Sequence, residues 1–456
     1  MNTQIFKAYD VRGMYPIEID EKAVYAIAQA YCELIKPSEV VIGSDVRLSS
    51  PALKQIAIKA VTDLGIKVID IGVISTDMLY FAVANYKYSG GFSITASHNP
   101  REYNGIKFIR EESKPISSDT GLFSIRDIAL KKEITDNNLK GEINENLVIK
   151  KNIIADYIKK IKTFADFSKF RKMKIVANAN FGVAGKALDG ILEGTDMEII
   201  KINYGPDGNF PKGRPDPLIP ENLQETCELI IKEKADLGVA WDADADRCFF
   251  FTEKGEFIEG YFITALLAKI FLEKNPGANI IRDTRLTWAI DDIVKNISGK
   301  IIGSKAGHAF IKERMRREDA VFGGEMSAHY YFRDYFYCDN GMIPLVMILE
   351  YLSTQNLSLS QIMKNMFWEK YFVSGEINTE VHRVQEIIQK VKHKYSDFKI
   401  DMTDGISVSG PDWRFNLRGS NTEPLIRLNV EAKTNKIVQQ MIKDLKKLIQ
   451  DKIDKK

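Results

Sequence analysis

Asp242, Asp244 and Asp246 stand at alternate positions, with Arg247 directly after them and only Ala243 and Ala245 between them. Three carboxylates this close repel one another unless a cation sits among them, so the run predicts a bound divalent metal. The apolar run 236–241 before it reads as a buried strand. Oxygen ligands in a loop at a strand end suit a hard ion such as Mg2+. An EF-hand calcium loop fits poorly, because Arg247 stands where the sharp turn needs glycine and Phe249, Phe250 and Phe251 belong in a core strand. The remaining alternative is an acidic surface turn without an ion.

Three further runs could do chemistry. In 95–100, Ser97 and His98 follow an expected strand and precede Pro100, which places them in a turn. A serine exposed at a strand end is a nucleophile if something activates it, and His98 is adjacent while Lys107 lies a little further on. A polar turn with a locally bonded serine is the plainer reading. In 323–329, two glycines precede Glu325, Ser327 and His329, the acceptor and donor groups that sugar hydroxyls require. An ordinary connecting loop would read the same way. In 418–424, Arg418 stands beside Ser420, Asn421 and Thr422, and Gly419 permits close backbone approach. That is a cradle for a phosphate dianion, or a decorated hairpin turn. His308 is a lone histidine, a type more often structural.

These loops need a scaffold. At 456 residues the chain exceeds one core and divides into several domains. A β-rich run, a polar or glycine-rich turn and a helical stretch recur at 40–64, 174–192 and 279–294. Strands alternating with helices predict α/β units on largely parallel sheets, and the recurrence suggests repeated domains. Residues 205–220 are rich in proline and glycine and predict a long irregular connection. Beyond about residue 368 the strands are shorter, with helices expected near 379–394 and 435–454, which predicts a separate α+β domain on an antiparallel sheet. The expected domains are 1–150, 151–254, 255–368 and 369–456.

Composition narrows the partners. Lys plus Arg number 64 and Asp plus Glu 62, so no basic excess draws in a nucleic acid. The longest apolar stretch, 261–272, contains Lys269 and is too short to span a bilayer. No apolar leader is visible at the start. Four scattered cysteines form neither a zinc spacing nor a disulfide framework. The expected setting is the cytoplasm, with small molecules as partners.

Taken in order, the serine loop, the acidic metal loop, the sugar loop at Glu325 and the phosphate loop at Arg418 resemble the α-D-phosphohexomutase family over essentially the whole chain. The runs 7–13, 251–260 and 331–342 add to the likeness, the last with the bacterial phosphomannomutase and phosphoglucomutase branch. The resemblance implies three similar mixed α/β domains and a C-terminal α+β domain around a central cleft. It implies that Ser97 carries a transferable phosphoryl group and also contacts a magnesium ion held by Asp242, Asp244 and Asp246. Arg247 would stabilise that phosphate, while Lys107, Arg12, His98 and His308 would handle protons and transition-state charge. Glu325 and Ser327 would hold sugar hydroxyls. Arg418, Ser420, Asn421 and Thr422 would clamp the non-reacting phosphate, with His329 assisting. The implied reaction interconverts mannose 6-phosphate and mannose 1-phosphate through a hexose 1,6-bisphosphate; glucose phosphates, and less readily glucosamine phosphates, are the alternatives. Monomer and dimer both remain open. Ala243, Ala245 and Ala328 depart from the family pattern, which favours glycine at these places.

Overall fold

The computed structural model describes residues 1–381, 383–419 and 425–450. The chain divides into two compact units, Met1–Ile258 with His329–Ser358, and Glu259–Ala328 with Leu359–Lys456.

In the first unit a six-stranded sheet runs in the order Val11–Met14, Tyr103–Arg110, Gly90–Ile94, Glu39–Ser44, Lys67–Val73, Val148–Lys150. Its first three strands pair antiparallel and the rest parallel. A five-stranded sheet follows, in the order Phe257–Ile258, Cys248–Thr252, Leu237–Trp241, Lys174–Asn178, Glu198–Ile202, again with an antiparallel edge on a parallel core. Every residue of Leu237–Trp241 and Cys248–Thr252 is buried, which is why these strands read as unbroken apolar runs rather than alternating ones. Residues 329–358 add the antiparallel pair Tyr330–Phe332 and Cys338–Asp339 and the helix Ile343–Thr354.

In the second unit Lys300–Ser304, Asn279–Asp283 and Phe322–Gly324 pair in parallel. The apolar stretch noted in the sequence is the helix Gly260–Lys274, buried on most of its surface. The C-terminal sheet is wholly antiparallel, in the order Phe372–Glu380, Leu425–Ala432, Trp413–Gly419, Ile406–Ser409, Lys399–Asp401. Mixed α/β sheets thus precede an antiparallel α+β ending, as the strand pattern predicts. The helix expected from about 379 begins later, at Val384–Lys394, because Phe372–Glu380 is a strand. A bulge between Val373 and Glu376, with Gly375 at φ +66°, breaks the two-residue alternation that would have revealed it.

Glu431, fully buried, ties this sheet to the preceding α/β domain. Its carboxylate accepts from the backbone N–H groups of Thr287 (2.9 Å) and Trp288 (3.0 Å), at the N-terminus of the helix Trp288–Asn296. It also accepts from the hydroxyls of Thr287 (3.1 Å) and Tyr261 (3.0 Å) and from Arg414 (3.2 Å). An anion at a helix N-terminus gains both the free N–H donors and the helix dipole.

Candidate active site

Ser97 leaves the strand Gly90–Ile94 in the left-handed region, at φ +50°. A non-glycine residue there carries backbone strain of about 1–3 kcal/mol, a condition that clusters at functional sites. The Ser97 hydroxyl donates to Asp242 Oδ2 at 2.9 Å, across 145 residues of sequence, and lies 3.2 Å from His98 Nδ1. Desolvation, then the charges of Arg247, Arg12 and Arg214, hold His98 well below the usual histidine range. Its imidazole is therefore neutral, and burial with three arginines nearby disfavours its protonation.

The acidic triplet follows the strand Leu237–Trp241, and the three carboxylates are buried with oxygens within 4.8 Å of one another. Arg247 donates to Asp242 Oδ2 at 2.8 Å. Lys107, from the strand Tyr103–Arg110, donates to Asp244 Oδ2 (2.7 Å) and Asp246 Oδ2 (2.6 Å). Burial alone would lower its pKa, but Asp244 and Asp246 outweigh burial and hold it raised, so the ammonium stays charged. Thr76 donates its hydroxyl to Asp244 Oδ2 at 2.6 Å, and its N–H to the Asp244 carbonyl at 2.9 Å. Asp244 Oδ1 is buried without a hydrogen-bond partner among the described residues. Three converging hard oxygen donors, one of them unsatisfied, beside a lysine already supplying positive charge, fit a divalent metal ion.

Two glycines wedge this loop. A Cβ on Gly182 would lie 2.4 Å from the Ala243 carbonyl oxygen, and one on Gly341 would lie 2.3 Å from that of Ala245. Ala245 takes φ +53°, and in the second unit Ala328 takes φ +65°. Both alanines thus carry a methyl in backbone that glycine adopts freely.

His329 lies with the metal loop, its Nε2 3.4 Å from Asp246 Oδ1 and 4.0 Å from Asp339 Oδ2. Arg12 donates to Asp10 (2.9 Å), to Asn99 Oδ1 (2.6 Å) and to the Ala96 carbonyl (3.4 Å), which places it on the serine loop.

In the second unit Glu325 Oε1 accepts from the Gly307 N–H at 2.7 Å, just ahead of the helix His308–Glu318. Arg285 lies 3.5 Å from both Glu325 Oε1 and Ser327 Oγ, and 3.7 Å from Glu376 Oε2. Arg418 lies 3.5 Å from the same Glu376 oxygen. Arg285 thus links the sugar loop to Glu376, the carboxylate that Arg418 approaches. His308 opens its helix, with Nδ1 3.4 Å from Lys312 Nζ. Ser420, Asn421 and Thr422 lie outside the described residues.

Sequence reasoning missed Arg285, Thr76 and a recurring turn. At the ends of three parallel strands stand Asp45-Val-Arg47, Asn178-Ala-Asn180 and Asp283-Thr-Arg285. In each, the third residue's N–H donates to the first residue's Oδ1, at 3.0, 2.9 and 2.8 Å. In each, the third side chain reaches a chemical loop. Arg47 grips the serine loop, Asn180 donates to the Trp241 carbonyl just before the aspartates (2.8 Å), and Arg285 approaches the sugar loop. The spacing was available as a signal, but it is short and its residue types vary.

A buried serine hydroxyl on a carboxylate cluster fit for a metal, in a chain of α/β domains closed by an antiparallel one, defines an enzyme of phosphoryl transfer. The chain matches phosphoglucomutase/phosphomannomutase α/β/α domain I over residues 3–135, domain II over 155–255, domain III over 259–371 and the C-terminal domain over 376–448. The chain belongs to the phosphoglucomutase/phosphomannomutase family. It is 46% identical to a phosphomannomutase of Vibrio cholerae, over 97% of this chain and 98% of that one. It is 45% identical to a phosphomannomutase of Escherichia coli, over 94% and 95% of the two chains. Among solved structures, a phosphoglucomutase/phosphomannomutase family protein from Burkholderia thailandensis matches with a TM-score of 0.86 and 27% identity, over 99% of each chain.

Proposed function

We propose that the protein interconverts mannose 6-phosphate and mannose 1-phosphate through a phosphoserine at Ser97 and a hexose 1,6-bisphosphate. It is an isomerase, a phosphomannomutase. The observation that carries the mechanism is the 2.9 Å contact between the Ser97 hydroxyl and Asp242 within a buried triplet of carboxylates.

In the first half-reaction the bond between Ser97 Oγ and phosphorus breaks as a bond forms from phosphorus to a sugar hydroxyl oxygen. That hydroxyl loses its proton, and Ser97 Oγ takes one up from the groups beside it, Asp242 or His98, to become the serine hydroxyl. In the second half, the bond between the other phosphorus and its sugar oxygen breaks as one forms to Ser97 Oγ. The serine proton passes to Asp242 or His98 Nδ1, the two groups within reach, and the freed sugar oxygen takes up a proton to become a hydroxyl. Asp242, Asp244 and Asp246, with Ser97, would hold a magnesium ion, which when bound neutralises charge on the phosphoserine and polarises its phosphorus. Arg247 and Lys107, both charged, oppose the negative charge of the transferring group. Arg12 holds Asn99 beside the serine. Glu325 and Ser327 bind sugar hydroxyls, Arg418 binds the non-reacting phosphate, and His308 serves that side of the reaction. His329 steadies Asp246.

The four domains run 1–150, 151–254, 255–368 and 369–456. The work takes place in the cytoplasm, a setting supported by four free cysteines among the described residues and by phosphorylated small molecules as substrates. Among the described residues no helix is long and apolar enough to cross a membrane.

The test is intact mass after incubation with mannose 1,6-bisphosphate. One phosphate should be gained by the wild type and none by Ser97→Ala; an adduct that survives that substitution rules out Ser97 as the carrier. Relative turnover of mannose 1-phosphate and glucose 1-phosphate, each coupled to release of its 6-phosphate, decides the sugar; faster turnover of glucose 1-phosphate would overturn mannose as the main substrate.

A further inference from the structure

Arg47 is an arginine with no exposed side-chain surface, and the mechanism above gives it no part. All five of its N–H donors have acceptors. Nε donates to Asp45 Oδ2 at 3.1 Å. One terminal nitrogen donates to the carbonyls of Pro100 (2.6 Å) and Tyr103 (3.0 Å), the other to those of Ser97 (2.6 Å) and Asn99 (2.8 Å). Arg214, from the proline-rich connection, donates to the His98 carbonyl at 2.8 Å, and Arg12 approaches that of Ala96 at 3.4 Å. Every backbone carbonyl from Ala96 to Pro100 therefore faces a guanidinium.

A loop this polar, holding a serine at φ +50°, would relax toward ordinary backbone if its carbonyls were free. Guanidinium is the group that can hold it, because its planar fork presents five donors in fixed directions and it keeps its charge when buried. The same turn in the third domain makes the point by contrast. Both arginines bond the aspartate of their own turn, but beyond it Arg285 turns toward the side chains of Glu325, Ser327 and Glu376, whereas the two terminal nitrogens of Arg47 turn toward backbone carbonyls. Asp45 completes the brace by accepting from the Thr95 hydroxyl at 2.7 Å, and Thr95 Oγ1 in turn accepts from the Ser97 N–H at 2.9 Å. Phe210 covers the outer face of the Arg47 guanidinium, 5.2 Å from ring centre to Cζ.

We infer that an arginine collar, with Arg47 at its centre and Arg214 on the His98 carbonyl, is the positioning device that keeps the Ser97 hydroxyl aimed at the metal loop. Arg47 touches no reacting atom. This inference rests on Ser97 being the phosphoryl carrier.

Three variants test it: Arg47→Lys, Arg214→Gln and Ser97→Ala. The readouts are single-turnover phosphorylation by glucose 1,6-bisphosphate followed by intact mass, KM for mannose 1-phosphate, Mn2+ affinity and the unfolding midpoint. An ammonium has three donors where the guanidinium has five. Misaiming a nucleophile by about 1 Å costs on the order of 100-fold. Arg47→Lys should therefore slow phosphorylation by about that factor, with KM and Mn2+ affinity within about two-fold of wild type. A folded Arg47→Lys protein with wild-type phosphorylation overturns the collar. If that variant fails to fold, Arg214→Gln decides, because its side chain is 40% exposed and its loss leaves the core intact. It should slow phosphorylation several-fold at unchanged KM, and no slowing overturns the proposal. Ser97→Ala separates the two ideas. Phosphate uptake by Ser97→Ala removes the carrier assignment itself, whereas its loss there beside wild-type rates in both arginine variants removes the collar alone.

Discussion

Asp242 and Asp244 face different neighbours, and the difference sets how the metal loop responds to pH. Burial, joined by the charges of Asp246 and Asp244 and opposed by Arg247, pushes Asp242 up to about 7 in the ion-free protein. Lys107 and Thr76 instead stabilise Asp244 as a carboxylate, and its pKa is lowered. Asp242 must lose its proton to ligate a cation, so metal and proton compete. Mg2+ affinity should rise between pH 6 and pH 8 with release of a proton, seen by titration calorimetry in buffers of different ionisation enthalpy. An affinity flat across that range would contradict a protonated Asp242. The linkage to stability has the opposite direction. A folded value above the unfolded one, about 3.9, makes the ion-free fold more stable below pH 4, and that contribution is lost as pH rises through 7. The aspartates, Ser97 and Arg247 were legible because their spacing is itself chemistry. Thr76, Arg47 and Arg285 were not, because a single threonine or arginine acquires its role only from what the fold sets beside it.

Loops at strand ends are the elements that carry the site, and their conformations explain where the sequence departs from expectation. Ala245 and Ala328 occupy left-handed backbone at a cost of about 1–2 kcal/mol each relative to glycine. Packing against the glycine at 341 leaves the metal loop no slack. Gly341→Ala would press a methyl to 2.3 Å from the Ala245 carbonyl oxygen, a clash with backbone that no rotamer relieves. The expected outcome is a loss of about 1–3 kcal/mol in unfolding free energy and weaker Mn2+ binding, read by denaturant titration and metal titration. Unchanged metal affinity in that variant would mean the glycine does not shape the loop. The strands bearing these loops were readable from their apolar runs. Phe372–Glu380 was not, because its bulge between Val373 and Glu376 resets the alternation. The repeated Asx turns were hinted at by the recurrence of strand, turn and helix. Their identity needed coordinates, since two carry Asp and Arg while the other carries Asn twice.

On the scale of the whole molecule, length, near-neutral charge and the change of pattern near residue 368 were enough to anticipate several α/β domains with a different ending. How the chain groups them was not legible, because residues 329–358 join the first unit although they follow the sugar loop in sequence. Within the second unit Glu431 fastens the antiparallel sheet to the preceding domain. Glu431→Gln keeps the shape but turns an amide N–H2 toward backbone donors, leaving polar groups unsatisfied at about 1–3 kcal/mol. Its unfolding free energy should fall by that amount, seen as a lower midpoint in denaturant, while Mg2+ binding at the aspartates in the first unit stays as in the wild type. An unaltered midpoint would show that the buried carboxylate is not a fastening.

Glu431 also has a consequence for what the enzyme can measure. Arg418 sits on the strand Trp413–Gly419, which this carboxylate fastens through Arg414 to the helix Trp288–Asn296, and Arg414 also holds the carbonyl of Arg285, which approaches Glu325. On the roles proposed above, the interval between a hydroxyl at Glu325 and a phosphate at Arg418 is fixed like the jaws of a caliper. A sugar phosphate one carbon shorter would fill one jaw and miss the other.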